Sequence, residues 1–296
     1  MVLYILYTCN KILSIKHLGG TIMSCRTITF GNFKGGTGKT SNCTLSGLEF
    51  AKRGLKTLLV DLDPQANATN LYLKTKENID NKVVTFKETL MAAIQDKDLK
   101  KIIIPIMDNL DLLPSAADFS LYPRYMEQVK ANYVDRVHYL DSLLAPLKEK
   151  YDIILIDIPP TISLLTDSAL YTSDYCVIVL QTQERSLQGA EAFIKYIQEQ
   201  VIDQFEAPTL EILGILPVLL KNGAPVDNST LQTAQETFGL DNMFNITIKN
   251  MERIKRYDLT GVTFKDRFDK KVQEVYQEVT KEMIQRMEEI ENGWFN

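Results

Sequence analysis

FGNFKGGTGKTSN, residues 30–42, sets three closely spaced glycines before a Lys-Thr pair, between a short β-branched and aromatic strand (27–30) and a segment of helical character (41–52). Strand, glycine turn and helix in that order bring backbone N–H groups together at the positive end of a helix, where they converge on an anion. Gly35, Gly36 and Gly38 supply the turn around Thr37, Lys39 reaches the β- and γ-phosphates, the Thr40 hydroxyl can ligate Mg²⁺, and Ser41 opens the helix. The strict pattern G-x-x-x-x-G-K-[ST] fails at one position, because Phe33 stands where its first glycine belongs. A second lysine, Lys34, precedes the glycines. One lysine is enough to hold a phosphate, so the other needs a purpose.

The rest of the chain repeats the same rhythm. LKTLLVDLD (55–63) is a near-continuous apolar run closed by Asp61 and Asp63, and YDIILIDIPP (151–160) repeats that form with Asp157 at its end. Both read as strands buried on two faces of a parallel sheet. DYCVIVLQTQ (174–183) and LEILGILPV (210–218) are two more, separated by a helix over 186–203. This alternation predicts an α/β fold, a doubly wound, mostly parallel sheet with helices on both faces, and a ligand at the carboxyl ends of the strands. The glycine loop and the acidic residues already lie at those ends. Residues 78–120 are the least regular and read as an elaboration. The last helix, 267–290, spaces Phe268, Val272, Val275, Val279, Met283 and Met287 three or four apart, as a core-packing stripe.

Length and composition narrow the classes. A chain of 296 residues can bury about three quarters of its unfolded surface and is read as one large domain. Hydrophobic residues at 45% and charged residues at 24% are ordinary for a globular protein. No run approaches the length of a membrane span. Cys9, Cys25, Cys43 and Cys176 lack C-x-x-C spacing, which argues against a zinc or iron–sulfur site and for a reducing cytoplasm. The opening MVLYILYTCNKILSIKHLGG places apolar residues before positive charge, the wrong order for a signal peptide. Residues 1–26 are expected to be a peripheral or disordered extension, with Met23 an alternative start.

A nucleotide-hydrolysing site needs a carboxylate near its metal and a group that positions water. Asp157, after the apolar IILI, has the form of a Walker B acid, and Asp63 ends the neighbouring strand; together with Thr40 they are the expected metal-site residues. Asp61 remains open between structural and functional roles.

NFKGGTGKTSN, LLVDLDPQANAT and DIILIDIPPTIS, in this order and spacing, resemble the deviant-Walker ATPases of the ParA and MinD superfamily, and DPQ-x-NAT resembles its ParA branch. The resemblance runs from residue 27 to the C-terminus, with Thr37 in place of the usual Val and Ser41 where Thr is frequent. It implies a partition ATPase that uses ATP and Mg²⁺, with residues 27–296 as the ATPase domain. The nucleotide contacts fall on Lys34, Gly35, Gly36, Thr37, Gly38, Lys39, Thr40 and Ser41. It also answers the question of the second lysine: Lys34 reaches the ATP of a partner subunit, making a homodimer ATP-dependent. Asp63 orients water in a first switch, and Pro159, Pro160 and Thr161 open a second.

The same resemblance implies non-specific double-stranded DNA as track, a ParB-like centromere-binding protein as partner, and a cytoplasmic, nucleoid-associated location in a bacterium. A net charge of −5 opposes DNA binding, but location counts for more than the total. Residues 249–271 hold eight Lys or Arg against four acids. Arg253, Lys255 and Arg256 are the first candidates for phosphate contacts. A MinD-like positioning ATPase is the competing reading; it needs a basic amphipathic tail, and the end of this chain is acidic, so no membrane partner is expected. An iron-protein relative would need cluster cysteines.

Overall fold

The computed structural model describes residues 24–207, 209–220 and 225–293. The expectations for residues 1–22 and for Met23 as a start lie outside that range. The strands are β1 (Arg26–Gly31), β2 (Thr57–Asp61), β3 (Ile104–Met107), β4 (Leu110–Leu113), β5 (Ile153–Asp157), β6 (Tyr175–Gln181), β7 (Glu211–Leu220) and β8 (Ile248–Lys249). They form one sheet in the order β3-β4-β2-β5-β1-β6-β7-β8. Every neighbouring pair is parallel except β3 and β4. The helices are α1 (Lys39–Lys52), α2 (Asn67–Asp80), α3 (Leu90–Gln95), α4 (Tyr122–Val129), α5 (Tyr133–Lys148), α6 (Leu164–Thr172), α7 (Glu184–Tyr196), α8 (Pro225–Phe238), α9 (Glu252–Thr260) and α10 (Arg267–Glu291).

Strand side chains alternate between two cores, as a pleated strand requires. Ile154 and Ile156 of β5 face one core with α3, α4, α5, α6 and α7, while Ile153 and Leu155 face the other with α1, α2, α9 and α10. Cys176, Ile178 and Leu180 of β6 follow the first pattern, and Tyr175, Val177 and Val179 the second. The sheet is therefore doubly wound as expected. Strand β1 lies between β5 and β6, and its chain continues to β2 on one side while β6 lies on the other. Such a reversal opens a crevice at the carboxyl ends.

Four expectations need correction. Residue Arg26, assigned to the extension, opens β1 in register with Ile153 and forms a bidentate pair with Glu291, Nε–Oε1 2.8 Å and Nη2–Oε2 2.7 Å. The irregular stretch 78–120 contains the β3–β4 hairpin, turned by Asp108 and a left-handed Asn109 (φ 62°). On α10, Val272, Val279, Met283 and Met287 are buried as the stripe predicts, but Phe268 is 51% exposed and Tyr276 takes a core place. Phe268 meets the guanidinium groups of Arg253 and Arg267 instead of a core. The helix expected over 186–203 is α7 followed by a π-helical turn, Ile197–Ile202.

Candidate active site

The β1 strand ends at Gly31, and the loop to α1 crosses the crevice. Gly36 (φ 74°) and Gly38 (φ 89°) adopt left-handed conformations that a side chain would strain. Gly38 is the N-cap of α1; no side chain caps this end, and no acid occupies its first turn. The positive end of α1 is left for an anion. Lys34, Gly35, Gly36, Thr37, Gly38, Lys39, Thr40 and Ser41 are thus brought together on one loop and one helical turn, as expected.

The two lysines behave differently. Lys39 is 6% exposed, with Nζ donating to the carbonyls of Asn32 (3.1 Å) and Lys34 (3.2 Å). Burial lowers its pKa, and the charges of Asp157 and Asp63 oppose that shift. Lys34 is half-buried and turns to the end of β6, where its Nζ donates to Oε1 of Gln183 (2.5 Å) and of Gln181 (3.2 Å).

Helix α7 carries the first half of this loop. Phe33 packs edge-on against Phe193 (centroids 4.8 Å apart) and Tyr196 (5.4 Å), which explains why a ring replaces the glycine of the strict pattern. Close approach is secured by glycine: a Cβ on Gly189 would stand 2.8 Å from Oδ1 of Asn32. That Asn32 oxygen accepts the N–H of Lys34 at 2.8 Å, while Nδ2 donates to the Val179 carbonyl at 3.0 Å. Sequence reasoning missed Asn32, Gln181 and Gln183. The two glutamines carry no charge and belong to no motif, so the sequence offered no signal for them.

The acids divide by their partners. Asp61 and Asp157 are paired in register on adjacent strands, and both are fully buried. Asp61 is partnered on both oxygens: Oδ2 accepts the N–H (2.8 Å) and hydroxyl (2.7 Å) of Thr69, and Oδ1 accepts the N–H of Asp63. Its role is to pin the turn that carries Asp63 into α2, although burial still raises its pKa to about 6. Neither oxygen of Asp157 has a hydrogen-bond partner within the described protein. Burial and the Asp61 charge push its pKa well up; the nearby Thr40 hydroxyl and Lys39 oppose this. An orphaned buried carboxylate beside a hydroxyl offers oxygen ligands of the kind that suit a hard cation. Asp63 is 8% exposed, and its Oδ1 accepts the N–H of Gln65 at 2.9 Å.

Residues 25–212 match a family described as an AAA domain. The chromosome partitioning protein ParA of Myxococcus xanthus is 31% identical over 215 residues, covering 72% of this chain and 71% of that one. The chain belongs to the ParA/MinD superfamily of ATPases. The sporulation initiation inhibitor protein Soj of Bacillus subtilis is 31% identical over 201 residues, 66% of this chain and 73% of that one. Among solved structures, an ATP complex of a Cyanothece McdA variant superposes with a TM-score of 0.73 at 19% identity, covering 88% of this chain and 97% of that one. A putative plasmid partition protein of Borrelia burgdorferi bound to AMPPNP gives 0.68 at 23% identity, with 87% and 99% covered. These likenesses establish the fold. ATP hydrolysis is the activity of this ParA-type chain.

The expected DNA contacts lie apart, on α9 and its junction with α10. Arg253 is committed to the fold: its guanidinium pairs with Asp266, approaches Asp269 at 3.4 Å and stands over the Phe268 ring. Lys255 pairs with Glu252 at 2.7 Å, both exposed. Arg256 is exposed on the same helix. Helix α9 in turn is fastened to α2. Lys74 Nζ donates to the Asp258 carbonyl (2.7 Å), and Val262 N–H donates to the Thr75 hydroxyl (2.9 Å).

Proposed function

We propose that this protein is a partition ATPase in which the chain from Arg26 onward acts as one domain, ATP closes a homodimer, the dimer binds double-stranded DNA without reading sequence, and a ParB-like centromere-binding protein stimulates hydrolysis and release. The observation that carries this reading is the separation of the two lysines. Lys39 is turned inward onto its own loop, where phosphate oxygens can replace two carbonyls. Lys34 is turned away from that loop onto neutral amides, which leaves its charge uncompensated by any carboxylate partner among the described contacts. A cation so placed can serve a neighbouring nucleotide, as an arginine finger does when supplied in trans.

The Thr40 hydroxyl and Asp157, the latter through water, would hold Mg²⁺, which offsets charge on the phosphoryl oxygens. No three His, Cys, Asp or Glu side chains among the described residues group to enclose an ion. Phosphate oxygens and waters would supply its remaining ligands. Asp63, held by the turn that Asp61 pins, orients the attacking water. The glycine-loop amides and Lys39 hold the β- and γ-phosphates. Pro159, Pro160 and Thr161, between β5 and α6, carry the second switch.

For DNA, Lys255 and Arg256 are the exposed cations of α9, joined by Lys265, Arg267, Lys270 and Lys271 around the start of α10. Because α2 begins just beyond Asp63 and α9 is fastened to α2, the nucleotide site has a direct route to this surface. A dimer doubles the patch, so binding should require ATP and fall steeply with salt as counterions are released. Fluorescence anisotropy with unrelated duplexes tests this. Strong sequence preference, salt-insensitive affinity, or equal binding without nucleotide would overturn the DNA reading. No helix among the described residues is long and apolar enough to cross a membrane, and the proposed location is the cytoplasm, on the nucleoid.

A further inference from the structure

Lys34 does not hang in solvent. Its ammonium is held between two amide oxygens, Oε1 of Gln183 at 2.5 Å and Oε1 of Gln181 at 3.2 Å. Gln181 ends β6 and Gln183 follows two residues later, at the N-cap of α7. An N-cap side chain ordinarily accepts a helix N–H. Gln183 makes no such bond. Instead Ser186 turns its hydroxyl back to accept the N–H of Gln181 at 3.1 Å, and the Gln183 amide is left for Lys34.

The backbone of Lys34 is fixed independently. Its N–H is held by Asn32 at 2.8 Å, and Phe33 beside it is wedged against Phe193 and Tyr196. Only the side chain has to swing for the ammonium to leave. The resting position is also a soft one. Burial and the neighbouring Arg185 both lower the Lys34 pKa there. Neutral amides hold an ammonium less firmly than anionic oxygens do, so a phosphate group within reach would take it.

We infer that Gln181 and Gln183 are positioning residues that hold Lys34 on its own subunit until the nucleotide of a second subunit draws it across, and that they thereby set how readily the ATP-bound dimer forms. This rests on the proposed trans role of Lys34. Pairing releases one lysine from each subunit, so any change in the hold enters the association constant twice.

The test compares Gln183→Leu and Gln183→Glu in the full chain, with dimer fraction measured by analytical ultracentrifugation across protein concentration in a non-hydrolysable ATP analogue and Mg²⁺. Leucine removes the shorter bond, and about threefold per subunit becomes about tenfold in the association constant. Glutamate replaces an amide by a carboxylate and should weaken pairing by a comparable factor. Affinity of the dilute monomer for the analogue should stay at the wild-type value in both. Opposite shifts from one position are not what general damage to the fold produces. If both variants pair as wild type to within about twofold, or both pair more weakly, the hold is overturned. Lys34→Ala measured alongside separates the two layers. Normal pairing of Lys34→Ala refutes the trans role itself, whereas lost pairing with unmoved Gln183 variants refutes the hold alone.

Discussion

At the carboxyl end of the sheet, Lys34, Lys39 and Asp157 make no ion pair among the described residues; where α9 meets α10, Arg253, Asp266 and Asp269 are matched to one another. Asp157 is fully buried with neither oxygen hydrogen-bonded among the described residues, and Lys34 and Lys39 rest on neutral oxygens. Asp269 is as deeply buried, yet accepts the Tyr257 hydroxyl (2.8 Å), the Thr263 hydroxyl (2.8 Å) and the Lys265 N–H (2.9 Å), with Arg253 beside it. Asp266 next to it completes a capping box at the start of α10. The difference appears in the pKa directions. Burial raises both carboxyls; at Asp157 the Asp61 charge adds to it, while at Asp269 the hydrogen bonds overcome it and hold the group below its usual value. Unmatched charge marks groups reserved for a ligand, and matched charge marks groups that hold the fold.

The comparison can be broken at its structural side first. Asp269→Ala would strand two hydroxyls, an N–H and Arg253, so it should cost about 3 kcal/mol or more. A urea titration showing a loss well under 1 kcal/mol would mean the corner is not the joint described here. Arg253→Ala should lower the melting temperature by a smaller amount, while Arg256→Ala leaves it unchanged and weakens DNA binding. Equal effects of the two arginines on stability would erase the distinction between them.

The smallest expected effect sharpens the other side. With its pKa raised, Asp157 keeps its proton to higher pH than an ordinary carboxyl, and that protonation stabilises the nucleotide-free fold at low pH, a contribution lost as pH rises through the raised value. A cation at Asp157 must displace the proton. Binding of Mg²⁺ and ATP should therefore release protons and tighten as pH rises, and the release should vanish in Asp157→Asn. Calorimetry in buffers of different ionisation enthalpy measures it; equal release by both proteins would place the titrating group elsewhere.

Much of this was legible in sequence because backbone demands leave composition behind. The glycines at φ 74° and 89°, the apolar strands ending in acids, and the Lys-Thr pair each have a local cause, and their order implied the sheet. The β3–β4 hairpin was hidden because Asp108-Asn109 is a weaker turn signal than a glycine pair. The ion pairs of Arg253 were not legible because net charge along a sequence counts cations without their partners, and its partners Asp266 and Asp269 lie a full loop away. Gln181 and Gln183 were missed for a related reason: an amide at a strand end carries no charge and joins no motif until the fold brings Lys34 to it.

The central claim is that Lys34 serves the neighbouring active site, and mixing subunits tests it most directly. Lys34→Ala and Asp63→Ala should each be inactive alone, the first for want of a trans cation and the second for want of an oriented water. In a heterodimer of the two, one site keeps Asp63 on its own chain and receives the intact Lys34 from the other chain, while the second site has neither. Turnover in the mixture should therefore recover to one active site per heterodimer. Heterodimers that form with ATP yet hydrolyse none, or a Lys34→Ala homodimer that turns over as wild type, would contradict the account.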